Sequence, residues 1–178
     1  MVLGLLRNRR ALIFKNLMRV IERVEKKLVP IHVAEIWGFG SYFRGKPRPG
    51  DIDLVVVFRN DSRLDTKAEQ LRSLIAAMDR TERGRRTLGR LITDPNSAKR
   101  FARRHYPGLP VEFWLRHMRV TDSIMSRCQG YQFHPTGTAT KVLKEGVRFV
   151  QLSHVVPLSE RDDLFSRMPA RKYILVWS

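Results

Sequence analysis

Cysteine is almost absent from the sequence, because Cys128 is the only one among 178 residues. A single cysteine excludes an intrachain disulfide and a zinc site built on several cysteines. Long apolar runs are missing as well, since none approaches the roughly 18 residues needed to cross a bilayer. The N-terminal arginines follow a short apolar piece, which is the reverse of the order in a secretory signal. We therefore expect a cytoplasmic protein with no membrane partner.

Acidic residues are scarce relative to basic ones. The chain has 17 Asp and Glu against 34 Lys and Arg, a formal net charge of +17 and a pI near 11.1. Such a charge favours a polyanion as partner, and nucleic acid is a better candidate than an acidic membrane surface. Cations dominate residues 80–104 too strongly for ordinary salt bridging, which predicts contact with a nucleic-acid backbone. The candidate contacts are Arg83, Arg85, Arg86, Arg90, Lys99, Arg100, Arg103 and Arg104.

Hydrophobic spacing predicts a chain of mixed helices and strands. Helical spacing predicts helices over residues 12–28, 61–79 and 136–150, a further helix after Asp94-Pro95, and one or two helical turns within 121–128. Short apolar runs predict strands over residues 33–39, 52–58, 87–93 and 110–115. The strand at 52–58 is apolar on both faces and is therefore expected to be central. We predict an α/β (α+β) fold: a mixed sheet with helices on one face, plus a small C-terminal subdomain. The basic face of the first helix is interpreted as solvated.

The stretch GFGSYFRGKPRPGDIDLVVVF, residues 38–58, places two carboxylates at the start of the expected central strand. Asp51 and Asp53 are two residues apart, so their side chains project from the same face. Adjacent carboxylates repel each other unless a cation lies between them. Oxygen ligands at a strand end suit Mg²⁺, and two such ions about 3.5–4 Å apart promote in-line displacement at phosphorus. We therefore expect Asp51 and Asp53 to bind two Mg²⁺ ions, which Mn²⁺ can replace.

The residues before these aspartates suit a phosphate group. Gly40 and Ser41 follow an expected strand, where small residues let backbone N–H groups and a hydroxyl approach phosphate oxygens at the start of a short helix. Arg44, one turn further on, would face the same anion and can bind it through two N–H groups. Phosphate and metal binding are therefore both predicted within fourteen residues.

A third carboxylate usually completes a two-metal arrangement. Glu112 is the best candidate, because it is the one acid in the apolar segment 110–115, and a strand there could lie beside the Asp51–Asp53 strand. Two other interpretations stay open, namely an edge-strand residue that faces water and an ion-pair partner of Arg116.

The combination resembles the signature of the DNA polymerase beta nucleotidyltransferase superfamily. A Gly-Ser pair, nine further residues, Asp-Ile-Asp and an apolar strand stand at matching intervals, and family X DNA polymerases are the most similar members. The resemblance covers residues 33–58 and, more loosely, 110–150. It implies a nucleotidyltransferase palm in which Ser41 and Arg44 bind a triphosphate, Asp51 and Asp53 bind both metal ions, and Glu112 is the third acid.

The turn Pro135-Thr136-Gly137-Thr138 is similar to a Thr-Gly-Ser turn that opens a nucleotide-contacting helix in family X polymerases. Thr136 and Gly137 are therefore candidate nucleotide contacts, although a simple helix-capping turn explains the same residues. The chain departs from the family further along this helix, where Val142 and Gly146 replace Asn and Arg. We expect a palm domain over residues 1–130 and a thumb-like subdomain over 131–178.

These residues together predict a Mg²⁺-dependent nucleotidyltransferase that adds NMP or dNMP from a nucleoside triphosphate to the 3′-hydroxyl of a nucleic acid. One alternative is a minimal nucleotidyltransferase of a toxin–antitoxin type system, which modifies a protein or a tRNA. Another is a non-catalytic nucleic-acid-binding module. The sequence leaves open the sugar of the nucleotide, the use of a template, the choice between DNA and RNA, and the oligomeric state.

Overall fold

A computed structural model describes residues 2–122, 129–168 and 171–178 of the chain. The first elements are helix α1 (Val2–Glu25), strands β1 (His32–Phe39) and β2 (Ile52–Arg59), and helices α2 (Ser62–Asp79), α3 (Glu82–Thr93), α4 (Pro95–His105) and α5 (Val111–Arg116). Then follow strands β3 (Arg119–Asp122) and β4 (Gln129–Gln132), helix α6 (Pro135–Lys144), strand β5 (Val150–Pro157), a 3₁₀ turn (Leu158–Glu160), helix α7 (Arg161–Arg167) and strand β6 (Ile174–Trp177). None of the described helices is long and apolar enough to span a membrane.

The main sheet is mixed, with the strand order β5-β2-β1-β6. Strand β1 pairs antiparallel with β2 and β6, whereas β2 pairs parallel with β5. A second sheet consists of the antiparallel pair β3 and β4. The fold is therefore α+β, as the sequence predicts. The expected central position of β2 is also confirmed, since it has a neighbour on each side.

The chain divides into two compact units. One, here called the sheet unit, comprises Met1–Lys26, His32–Asn60 and Leu143–Ser178, and contains the four-stranded sheet, α1 and α7. The other, the helical unit, comprises Lys27–Ile31 and Asp61–Val142, and contains α2 to α5, the two-stranded sheet and most of α6. This division differs from the expected boundary between residues 130 and 131, because β5 returns to pair with β2.

The core of the sheet unit forms around β2. Residues Ile52 and Leu54 to Val57 of this strand are inaccessible to solvent. On one face of the sheet, Val55 and Val57 cluster with Phe39 of β1 and with Leu164 and Phe165 of α7. Helix α1 contributes buried residues at intervals of three or four, as its sequence predicts. They are Ile13, Leu17, Val20, Ile21 and Val24.

The helical unit is organised by capped helices around an aromatic core. Asp61 accepts hydrogen bonds from the first backbone amides of α2, and Asp94 does the same for α4. Asp is favoured at this position, because its side chain accepts hydrogen bonds from the first free amides of a helix. In the core, the fully buried rings of Trp114 and Phe133 stack with their centres 6.0 Å apart. The indole of Trp114 also donates to the Leu28 carbonyl at 3.1 Å.

Two segments expected to be strands are helices. Residues 87–93 belong to α3, in which the buried leucines Leu88 and Leu91 are three residues apart. Residues 110–115 belong largely to α5, in which Val111, Trp114 and Leu115 are buried. Their spacing of three and four residues places all three on one side of a helix, whereas a strand would split them between two faces.

The C-terminal expectations also need correction. The helix that was expected to extend to residue 150 ends at Lys144. Val150 is instead the first residue of β5, which pairs with β2. One or two helical turns were expected within residues 121–128, but the first two of these residues belong to β3, which ends at Asp122. Residues 123–128 lie outside the described part of the chain. Helix α1 ends at Glu25 rather than at residue 28.

Candidate functional site

The turn that follows β1 is held tightly against the sheet. The amide of Arg44 donates to the Gly40 carbonyl at 3.2 Å, and that of Lys46 donates to the Ser41 carbonyl at 3.0 Å. The Phe43 ring occupies the space above Gly38, where a Cβ atom would lie 2.2 Å from the ring. Residues 41–45 form turns and not the expected short helix. Ser41 is half-buried in this turn and Arg44 is exposed.

Two arginines of α1 brace the basic loop between β1 and β2. Arg10 donates to the Lys46 carbonyl at 2.8 Å and to the Tyr42 carbonyl at 3.3 Å, and its guanidinium carbon lies 4.4 Å from the centre of the Tyr42 ring. Arg9 donates to the Gly50 carbonyl at 2.8 Å. Both arginines precede residue 12, where the sequence predicts the first helix to begin, so they lie outside the basic face that was interpreted as solvated. They fix the loop that connects Ser41 to Asp51.

Asp53 and Gly40 come into direct contact. Phe39 at the end of β1 lies opposite Asp53 on β2, so the glycine that follows Phe39 approaches the carboxylate. A Cβ atom on Gly40 would lie 2.9 Å from Asp53 Oδ2, and Gly40 has a φ of +91°, which L side chains rarely adopt. The sheet thus brings together the Gly-Ser turn and the aspartate pair, the two halves of the predicted site. Asp51 precedes β2 by one residue and is half-buried, like Asp53.

Strand β5 forms the other side of this site. The amide of Ile52, between the two aspartates, donates to the Phe149 carbonyl at 3.0 Å. Phe149 has a φ of +62°, and the Arg9 guanidinium carbon lies 4.5 Å from its ring centre. This junction sets the register in which Gln151 lies opposite Asp53. Two residues further along β5, the hydroxyl of Ser153 donates to Asp53 Oδ1 at 3.0 Å.

Cations flank Asp53 on the neighbouring strands. The Lys144 ammonium donates to the side-chain oxygen of Gln151 at 3.3 Å. The Arg171 guanidinium carbon lies 4.7 Å from the centre of the Phe39 ring, and Phe39 is the other cross-strand partner of Asp53. Positive side chains are thus anchored on both strands next to Asp53. Sequence reasoning missed both residues, because they lie far from the aspartates in the chain and belong to no motif.

Tyr173 and Glu35 show how the rest of this sheet face is used. Tyr173 stacks on Phe165 with ring centres 4.1 Å apart, and burial raises the pKa of its phenol, so this ring is a neutral packing group. Glu35 lies opposite Val57, four residues along β2 from Asp53. It accepts hydrogen bonds from Arg161 at 2.8 Å and from the Trp37 indole at 2.6 Å. The hydrogen bonds of Arg161 raise its pKa, and the bond to Asp162 contributes more than the bond to Glu35. Glu35 is therefore committed to packing this face.

The donor atoms around Asp53 fit a hard divalent cation. Asp51, one residue before β2, and Asp53 on β2 supply carboxylate oxygens two residues apart in the chain, and Gly40 lies beside Asp53 Oδ2 without a side chain. Mg²⁺ binds typically through one or two carboxylates and completes its octahedron with waters and substrate phosphates. Among the described residues, no group of three or more His, Cys, Asp or Glu side chains could hold a metal ion. Asp51 and Asp53 are therefore the described carboxylates that would hold Mg²⁺, and waters or phosphate oxygens would have to fill its remaining positions.

Glu112 lies in the helical unit, in the first turn of α5. The strand on which its predicted role depended is thus a helix. Its half-buried side chain lines a cavity of about 280 Å³, together with Lys99, Arg103 and Tyr106. An acid in the first helical turn is favoured by the helix dipole, and two nearby cations favour it further. These contacts explain Glu112 locally, and its role as third carboxylate stays a prediction.

Thr136 and Gly137 also belong to the helical unit, where they form the first turn of α6. Both are exposed and line a cavity of about 590 Å³. The other residues that line this cavity are mostly basic or polar, namely His117, Arg119, Gln132, His134, Thr138 and Lys141. Such a lining is compatible with the expected nucleotide contact, which stays a prediction.

The predicted nucleic-acid contacts lie on two neighbouring helices of the helical unit. On α3, Arg83, Arg86 and Arg90 follow one another at helical spacing and line a cavity of about 560 Å³ with Glu82. Arg86 pairs with Glu82. Arg85 is different, since it donates to the Asp79 carbonyl at 2.8 Å and so caps the end of α2. On α4 the exposed cations are Lys99, Arg100, Arg103 and Arg104.

Residues 3–106 match the model of DUF6932, a family of unknown function. The match covers more than half of the chain, so the protein belongs to this family. No curated protein and no solved structure matches the chain. The matched region contains the Gly40–Ser41 turn, both aspartates, α3 and α4, whereas Glu112 and Thr136 lie beyond it.

Proposed function

We propose that the protein is a Mg²⁺-dependent nucleotidyltransferase that transfers NMP or dNMP from a nucleoside triphosphate to the 3′-hydroxyl of a nucleic acid. The observation that carries this proposal is the contact between Gly40 and Asp53, with 2.9 Å between the position of a Gly40 Cβ and Asp53 Oδ2. It joins a turn suited to phosphate with a carboxylate pair suited to Mg²⁺. A metal-bound triphosphate needs both groups next to each other.

The residues of the sheet unit take distinct roles in this proposal. Asp51 and Asp53 hold Mg²⁺, while the Ser41 hydroxyl and the backbone of the turn contact the triphosphate. Arg44 on the turn, Lys144 beside Gln151 and Arg171 on Phe39 supply positive charge for the phosphate oxygens. When bound, Mg²⁺ neutralises phosphate charge in the transition state and favours ionisation of the attacking hydroxyl.

The proposed reaction is an in-line displacement at the α-phosphorus. The 3′-oxygen of the acceptor forms a bond to this phosphorus, and the bond to the oxygen that bridges the α- and β-phosphates breaks. Pyrophosphate leaves with the electron pair of that bond, and the hydroxyl proton is released. The chain contributes mainly positioning and charge stabilisation, which dominate catalysis of phosphoryl and nucleotidyl transfer.

A nucleic acid is the proposed acceptor because of the helical unit. Arg83, Arg86 and Arg90 present a run of cations on one side of α3, and further exposed cations lie on α4. Phosphate contacts by Lys and Arg supply most of the affinity of nucleic-acid binding that is independent of sequence. A protein substrate would not need such a surface.

The test is nucleotide incorporation by the purified full chain, with and without template, with each labelled NTP and dNTP. The acceptors are primed DNA, RNA, tRNA and cell lysate. We expect Mg²⁺-dependent extension of a nucleic acid, and we expect Asp51→Asn and Asp53→Asn to abolish it, because each removes a charged metal ligand. Asp162→Asn is the matched control, since this side chain is 83% exposed and lies on α7.

Three results would overturn the proposal in different ways. Label that enters only a protein band would move the protein to the toxin–antitoxin type of nucleotidyltransferase. Salt-sensitive nucleic-acid binding without Mg²⁺-dependent release of pyrophosphate would leave only the non-catalytic binding module. Full activity in either aspartate variant, with unchanged thermal unfolding, would show that the chemistry lies elsewhere in the chain.

A further inference from the structure

Strand β5 contains an irregularity next to Asp53. Leu54 pairs with Leu152, but the next residue of β2, Val55, pairs with His154. Ser153 is therefore the extra residue of a β-bulge. Ser153 follows Gln151 by two residues, so strand alternation places its side chain on the same face of the sheet as Asp53, and the irregularity leaves no residue of β2 directly opposite it. Its hydroxyl reaches a carboxylate of the candidate site.

The hydrogen bond from Ser153 fixes one oxygen of Asp53, and Gly40 confines the other. Ser153 Oγ donates to Asp53 Oδ1 at 3.0 Å, across a separation of 100 residues in the chain. Asp53 Oδ2 lies against Gly40, so close that a Cβ atom there would be 2.9 Å away. The carboxylate is thus held from β5 on one side and from the end of β1 on the other. Rotation about its Cβ–Cγ bond is restricted by both contacts.

A hydroxyl suits this position chemically. Each carboxylate oxygen has two lone pairs, so Oδ1 can accept from Ser153 and still bind a cation. A neutral donor orients the carboxylate without competing with the cation for the carboxylate's negative charge. Groups that hydrogen-bond to metal ligands fix the ligand's orientation, and their removal lowers metal affinity by about 10–100-fold.

We infer that Ser153 is a positioning residue that orients the Asp53 carboxylate for a divalent cation bound with Asp51. The inference rests on the metal site of the proposed function and adds a residue from β5, which no motif in the sequence indicates. Ser153 is exposed, and a hydrogen bond whose donor is exposed to water contributes little to global stability. Its purpose is therefore orientation at the site and not support of the fold.

The experiment measures Mn²⁺ binding to the full chain by electron paramagnetic resonance of free Mn²⁺, without nucleotide. The double variant Asp51→Asn/Asp53→Asn gives the background from other sites. We expect Ser153→Ala to weaken the specific Mn²⁺ site about tenfold, and we expect Ser153→Thr, which keeps a hydroxyl, to restore most of the affinity. Ser159→Ala is the matched control, because Ser159 is an exposed serine in the 3₁₀ turn after β5.

Each remaining outcome overturns the inference in a recognisable way. Equal Mn²⁺ affinity of the wild-type chain and Ser153→Ala would remove Ser153 from the site while leaving the proposed function intact. Equal weakening in the Ala and Thr variants would show that packing at the bulge matters and the hydroxyl does not. No Mn²⁺ binding by the wild-type chain above the double variant would overturn both this inference and the metal site of the proposed function.

Discussion

Arg9 and Arg10 in the sheet unit donate hydrogen bonds to carbonyl groups of one loop, whereas Arg83 and Arg90 in the helical unit project from a helix surface into solvent. Both pairs belong to the same excess of cations in the sequence. In the first pair, the fork of N–H groups fixes backbone geometry, which a flexible point charge does less well. In the second pair, the charge itself is the exposed feature.

The two units therefore have different sensitivities. The site around Asp53 depends on the 3.0 Å hydrogen bond from Ser153 and on the absence of a side chain at Gly40, so it should respond to small steric changes and little to salt. The basic side of α3 depends on summed charge, so it should respond to charge removal and strongly to ionic strength. One unit carries the properties of a preorganised site, and the other those of an electrostatic surface.

Apart from the metal-ligand variants above, the largest effect is expected from Gly40→Ala. The new Cβ atom would lie 2.9 Å from Asp53 Oδ2, and it would also force an L residue to a φ of +91°. Displacement of the carboxylate by a fraction of an ångström to 1 Å costs roughly 100-fold in rate at a positioned site. We expect nucleotide incorporation to fall by about that factor.

Gly45→Ala is the matched control for this effect. Gly45 lies in the same turn with a φ of +77°, but a Cβ atom there would meet no other atom within 4 Å. Both variants therefore introduce an unfavourable backbone conformation, and only Gly40→Ala displaces Asp53. Equal losses in the two variants would show that loop conformation matters and that the contact with the carboxylate does not.

A smaller, salt-dependent effect is expected from the triple variant Arg83→Ala/Arg86→Ala/Arg90→Ala. Each phosphate contact contributes about 0.9 to the slope of log affinity against log salt on duplex DNA, so the slope should fall by about two to three. Fluorescence anisotropy with labelled DNA and RNA at several salt concentrations measures it. Incorporation at saturating acceptor should change less than the affinity does.

The control for charge alone is Arg63→Ala/Lys67→Ala/Arg72→Ala on α2. This variant removes the same number of positive charges, also from exposed positions of the helical unit, but it leaves the α3 surface unchanged. A salt slope reduced equally by both triple variants would indicate that net charge is sufficient and that α3 is no specific binding surface.

Local motifs made one side of the site predictable. Gly40, Ser41, Asp51 and Asp53 lie within fourteen residues, at or next to the adjoining ends of two antiparallel strands, so short-range spacing indicates their proximity. Ser153 is 100 residues from Asp53 and meets it only because β5 pairs in parallel with β2. Nothing in the local sequence around Ser153 encodes that partner or the bulge. Parallel pairing over such a separation requires the tertiary fold.

The prediction of a strand around Glu112 was wrong for another reason. Six residues with mostly apolar side chains suit either a strand or a helix, and the argument for a strand rested on their uniform apolarity. The buried residues Val111, Trp114 and Leu115 in fact have helical spacing. That pattern was present in the sequence, but it is too short for periodicity alone to decide.

The smallest effect is expected from Glu112→Gln, and it tests the remaining sequence hypothesis for the site. In α5, the carboxylate faces a cavity that it shares with Lys99 and Arg103, and the first helical turn favours its charge. These contacts account for the residue without a metal, so we expect incorporation to change far less than in Gly40→Ala. Glu82→Gln is the matched control, because Glu82 is an exposed acid at the start of α3.

A complete loss of incorporation in Glu112→Gln, like that expected for Asp53→Asn, would instead establish Glu112 as the third carboxylate, provided that thermal unfolding is unchanged and Mn²⁺ binding is reduced in parallel. The contrast between a site in the sheet unit and a surface in the helical unit would then have to be abandoned.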